Sequence, residues 1–130
     1  MPSNVESDYR AWFTKAQEDE TALQTLMLAG TAFGPACFHA QQMAEKYLKG
    51  LLVFHKKSFP KVHDLLSIET LLLNIDPDVS NLHTDLVILN EYSIRGRYPG
   101  DEIEITLSEA QQAATAANRV KSFVTSKLGV

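Results

Sequence analysis

The chain has 130 residues, of which 45% are hydrophobic and 22% charged, and its formal net charge is −4. That charge excludes a protein that coats nucleic acid through bulk positive charge, although it leaves room for a local basic patch. The length suits one domain over residues 1–130 with a core spanning about 8–128, and the apolar fraction is ample for a folded core.

The first helix is expected to start at Ser7 or Asp8, both good N-cap types, and to run to Ala29. Trp12, Ala16, Leu23 and Leu26 recur there at helical spacing, with Phe13 and Met27 beside them. Asp19 falls in the same apolar stripe, which is unexpected for a carboxylate, and Gly30 is the stop. Gly34-Pro35 signals the start of a second helix that continues to Phe54. Ala40, Met43, Ala44, Tyr47, Leu48, Leu51 and Phe54 share one of its faces, and His39, Gln42, Lys46 and Lys49 form a separate polar stripe. Lys56-Lys57-Ser58-Phe59-Pro60-Lys61 reads as a basic loop.

A shorter third helix follows Asp64, with Leu65, Ile68, Leu71, Leu72 and Ile75 as its apolar set. Asp76-Pro77 supplies a cap and a first position for the fourth helix, whose buried side is Leu82, Leu86 and Leu89, widened by Val79 and Ile88. Arg95–Ile105 is a connector. Thr106-x-x-Glu109 is a capping box for the last helix, in which Ala110, Ala113, Ala117, Val120 and Val124 form a narrow seam. With no segment able to build a sheet, the expected fold class is all-α: an up-and-down bundle of about five helices, a four-helix core plus a short helix.

Several absences narrow the chemistry. A lone Cys37 excludes an internal disulfide and a cysteine-only zinc site, and its place near an apolar face reads as a small buried hydrophobe. No glycine-rich phosphate loop or His-Glu-x-x-His occurs, and no His pair has metal-ligand spacing, so neither a metal nor a cofactor is expected. The N-terminal segment lacks the charge and apolar pattern of a secretory signal. Apolar runs of about four residues fall far short of the roughly 18–20 of a membrane span, so a cytoplasmic protein without membrane contact is expected.

Three polar clusters remain. In the stripe His39, Gln42, Lys46 and Lys49, two ammonium groups and an imidazole suit phosphates and Gln42 suits a base or ribose, while a solvated helix face explains the same pattern. His63 precedes the Asp64 cap. Arg95-Gly96-Arg97-Tyr98-Pro99 joins guanidinium groups to an aromatic that offers a stacking face, or braces a helix end.

These clusters, in this order, resemble the HEPN domain, a nucleotide-binding domain of higher eukaryotes and prokaryotes. Phe38-His39-Ala40-Gln41-Gln42-Met43-Ala44-Glu45-Lys46-Tyr47-Leu48-Lys49-Gly50-Leu51-Leu52 is similar to its signature helix. Phe59 to Leu65 resembles its loop into the third helix, Arg97-Tyr98-Pro99 its Arg-Tyr-Pro element, and Ser108-Glu109-Ala110 the start of its last helix; Ala16-x-x-Asp19 matches as well. The resemblance implies an accessory protein that acts with a separate minimal nucleotidyltransferase, often in a toxin–antitoxin module, and that pairs as a homodimer. The site expected for a nucleotide or phosphate-containing ligand joins His39, Gln42, Lys46 and Lys49 with His63 and with Arg97 and Tyr98.

The ribonuclease branch of that family uses an Arg followed, after about four to six intervening residues, by a His that transfers the proton. Arg10 meets Lys15, Ala16 and Gln17 at those positions. Arg95 and Arg97 meet residues of the acidic connector, and Arg119 meets Val124, Thr125 and Ser126. The enzyme reading therefore leans to no, and no catalytic residue is assigned. A divergent metal-independent ribonuclease with His39 or His63 as the proton-transfer group stays open beside a purely structural, partner-binding helical dimer. The structural reading pairs Asp19 with Lys46 or His39. Leu52, Val53 and Phe38 flank the polar stripe and are expected to form an exposed apolar patch.

Overall fold

The computed structural model describes residues 8–93, 99 and 104–129. Among these the chain is all-α, with α1 Tyr9–Ala29, α2 Phe33–Phe54, α3 Leu65–Leu73, α4 His83–Asn90 and α5 Leu107–Leu128. Short 3-10 segments, Pro77–Leu82 and Glu91–Ser93, flank α4.

Local chemistry explains most helix ends. The Asp8 carboxylate accepts from the Arg10 N–H at the start of α1, and Gly30, at φ 68°, closes it in the left-handed conformation that glycine adopts without steric cost. Asp64 caps α3 through the Leu66 N–H, and the Thr106/Glu109 capping box opens α5 with both reciprocal bonds present. The second helix starts one residue before the Gly34-Pro35 signal, from Ala32 at φ 56° and without a side-chain cap. Pro35 fits inside its first turn because the first helical N–H bond beyond the cap is Ala36 to the Ala32 carbonyl, at 3.0 Å. The segment expected as one fourth helix is divided: Asp76 caps a 3-10 stretch from Pro77, and the α-helical winding begins at His83.

The antiparallel arrangement of α1 and α2 is visible in their partners. Tyr9 meets Phe54 edge-on at 5.3 Å, Phe13 meets Tyr47 at 5.5 Å, and Asp19 meets Lys46 and His39. Gly50 makes the seam close. A Cβ there would stand 2.5 Å from the Phe13 ring and 3.3 Å from the Trp12 Cβ. The other side of α2 lies against the alanine seam of α5, where Ala110, Ala113, Ala116 and Ala117 are buried. Helices α3 and α4 run side by side, held by Asn90, which accepts from the Leu65 N–H at 2.8 Å and donates to Asp64 at 2.8 Å.

Met43, Tyr47, Leu48, Leu51 and Leu52 of α2 sit at the centre of the core with Leu65, Ile68, Leu72, Leu86 and Leu89. Leu52 is fully buried and Phe38 and Val53 are half-buried, so the apolar patch expected from these three does not form; side chains of the packed neighbouring helices enclose Leu52. Among the described residues the exposed large apolar side chains are Leu28, Phe54, Leu73, Val87 and Leu107. No helix among the described residues is long and apolar enough to cross a membrane.

Candidate functional site

Two buried carboxylates organise the polar face between α1 and α2. Asp19 is 7% exposed, and α1 carries it to the seam at the same height as the α2 stripe. Its Oδ1 lies 2.9 Å from His39 Nδ1 and its Oδ2 accepts from Lys46 Nζ at 2.6 Å. Glu45 is 2% exposed. Its Oε2 receives Lys49 Nζ at 2.9 Å and lies 2.9 Å from His63 Nδ1, while its Oε1 accepts from Gln41 at 3.2 Å. Gln42 donates to the Gln41 side-chain oxygen at 2.7 Å, and Gln41 also donates to the His63 carbonyl at 3.2 Å. Thus Gln41 ties α2 to the approach of α3.

This geometry sets the tautomers. An ionised carboxylate only accepts hydrogen bonds, so Nδ1 of each imidazole carries the proton and Nε2 has no partner among the described residues. His63 is held this way while its side chain is 73% exposed. His39 and Lys46, on Asp19, are partly exposed. With Nδ1 held by a carboxylate, each ring keeps Nε2 for a further partner, the arrangement needed to contact an anion or to transfer a proton.

The sequence-predicted residues therefore separate. His39, Gln42, Lys46 and His63 come together on one polar face. Lys49 is drawn inward: it is 5% exposed, bonded to Glu45, and lies 5.6 Å from the Trp12 ring centroid and 5.9 Å from that of Phe59. Its charge is matched within the protein, and it supports the site from behind. Arg97 and Tyr98 lie outside the described residues. The pairing of Asp19 with both Lys46 and His39 is the arrangement expected of a carboxylate in an apolar stripe.

Sequence reasoning does not single out Gln41, Glu45, Trp12 and Phe59 as site residues. The four-residue spacing of Gln41, Glu45 and Lys49 is a usable signal, since such residues are neighbours on a helix. The aromatic cover on Lys49 is not, because it joins side chains from α1 and a loop. Among the described residues no three His, Cys, Asp or Glu converge as a metal site.

The HEPN domain model matches residues 9–128. The chain belongs to the HEPN family. Its fold is similar to the crystal structure of ST0689, an archaeal HEPN homologue, with a TM-score of 0.72 and 26% identity over 92% of this chain and 97% of that one. It is likewise similar to the crystal structure of TT1696 from Thermus thermophilus, with a TM-score of 0.76 and 29% identity over the same shares. No curated protein matches the chain. Within this HEPN domain, the Asp19–His39–Lys46 and Glu45–His63–Lys49 groups occupy the face formed by the signature helix and the loop into α3.

Proposed function

We propose that this HEPN protein binds a nucleotide or another phosphate-containing ligand at the solvent edge of the α1–α2 network, and serves as the accessory partner of a separate nucleotidyltransferase in a toxin–antitoxin-like module. The carrying observation is the pair of imidazoles, each fixed through Nδ1 by a buried carboxylate and each with Nε2 free of partners among the described residues. Protonated at Nε2, His39 and His63 donate to phosphate oxygens, with Lys46 adding charge and Gln42 a polar contact. Lys49 acts indirectly by holding Glu45. Arg97 and Tyr98 complete the proposed set, as a phosphate contact and a stacking face. Family membership supports the nucleotidyltransferase pairing and a homodimer, for which Val87 and Leu107 offer exposed apolar surface.

Calorimetric titration with a panel of nucleoside mono-, di- and triphosphates tests the ligand reading. Binding that is weakened about tenfold or more by His63→Ala, with the melting temperature little changed, is the expected outcome. Absence of heat for every nucleotide at millimolar concentration ends the reading. The same carboxylate-backed imidazoles carry a second reading, a divergent metal-independent ribonuclease in which His39 or His63 transfers the proton. RNA cleavage in EDTA that His63→Ala abolishes would select it over simple binding.

A further inference from the structure

We propose that the loop after α2, from His55 to Lys61, is a docking surface for an acidic, partly apolar segment of a partner protein. Its lysines stand apart from all others in the molecule. Lys15, Lys46, Lys49, Lys121 and Lys127 each have a carboxylate partner within 3.6 Å. Lys56, Lys57 and Lys61 are exposed and have no carboxylate partner among the described residues.

The loop is also rigidly placed. Lys56 N–H bonds the Val53 carbonyl and Lys57 N–H bonds the Leu52 carbonyl, both at 2.9 Å, the two bonds of a Schellman closure. Lys56 occupies the position in that closure where glycine is favoured, at φ 57°, so a strained backbone carries a charged side chain that has no carboxylate partner among the described residues. Further on, Phe59 meets Trp12 at 6.1 Å and His63 is pinned to Glu45. The cations are presented on a fixed turn, which lowers the ordering entropy a partner must overcome.

Two features favour a protein segment over a nucleic acid. Three lysines neutralise few phosphates, and the rest of the chain carries more negative than positive charge, which disfavours a long polyanion that extends past the loop and the neighbouring His63 edge. Beside the lysines, Phe54 is 41% exposed at the base of the loop and offers an apolar contact to a segment that alternates acidic and apolar residues.

The test uses the full chain and a fluorescein-labelled peptide of alternating Glu and Leu, its Gln-for-Glu twin, and a single-stranded RNA of equal charge. The variants are K56G/K57Q/K61Q and, as a control on an exposed lysine elsewhere, K15Q. The proposal expects the Glu peptide to bind more tightly than its twin, to weaken with salt, and to lose about tenfold or more in the triple variant but not in K15Q. The triple variant should melt at or above the wild-type temperature, since Gly relieves the strain at position 56. No salt-dependent binding of the Glu peptide, equal loss in K15Q, or tighter binding of the RNA would each overturn the proposal. Nucleotide titration of the same triple variant keeps the outcome separate from the His39/His63 site.

Discussion

At the scale of single residues, Asp19 and Glu45 show how a carboxylate enters a helical seam. Each has a lysine and a histidine as partners, so the cost of burial is offset by charge-assisted hydrogen bonds. The two lysines differ in depth. Lys49→Met leaves Glu45 buried without its closest cation and is expected to cost about 2–4 kcal/mol. Lys46→Met is milder, about 1–2 kcal/mol, because Lys46 is partly exposed and His39 still faces Asp19. Urea unfolding midpoints measure both, and unchanged midpoints would show that the network contributes nothing to stability. Asp19 was legible from sequence, because a carboxylate in a core stripe requires a partner. The inward turn of Lys49 was not, since helical periodicity alone placed it with Lys46 on an open stripe.

At the scale of elements, the tightest constraint lies between α1 and α2. Gly50 permits the Phe13 ring to lie where a Cβ would stand. Gly50→Ala gains about 1 kcal/mol in helix propensity and loses about 1–3 kcal/mol to overpacking, so a net loss and a lower melting temperature are expected. A higher melting temperature would mean that α1 yields freely along the seam. The helices themselves were readable from apolar spacing and caps, most plainly α5 with its Thr106/Glu109 box. The division of the fourth helix at His83 was not readable, because the Asp76-Pro77 signal marks a start equally for a 3-10 turn and an α-helix. Val79 and Leu82 of the 3-10 stretch are both buried in the core.

At the scale of the whole molecule, Tyr47 reports on the closure of the bundle. Its ring is 1% exposed, and its hydroxyl makes no hydrogen bond of good geometry among the described residues. Burial, with the nearby negative charge of Glu20 adding to it, pushes the Tyr47 hydroxyl up to about 12. Glu20 in turn is bridged by Lys121 of α5 at 2.8 Å. In the unfolded chain a tyrosine ionises near pH 10, so the unfolded state loses its proton first and stability falls as pH rises from about 10 toward 12. Tyr47→Phe is expected to remove that part of the alkaline decline while leaving stability at pH 7 unchanged or slightly higher. Melting temperatures of both proteins across pH 8–12 measure it, and parallel curves would assign the decline to other groups.

The acid limb has the opposite sign. The Ser67 hydroxyl and the Asn90 amide hold the Asp64 carboxyl below its ordinary value, so its contribution is present above about pH 4 and is lost as pH falls through the lowered value.

The sequence alone determined the all-α class, the caps of α1, α3 and α5 and the family, because these depend on local spacing and on motifs that lie within single elements. Only the tertiary structure decided which cations are already neutralised and which remain open. Asp19 comes to His39 and Lys46 across the α1–α2 seam, and His63 comes to Glu45 from a loop, through contacts among residues far apart in the chain. Burial and pairing, rather than residue type, therefore separate the inward Lys49 from the exposed edge at His39, His63 and Lys46, and from the loop lysines, which have no carboxylate partner among the described residues.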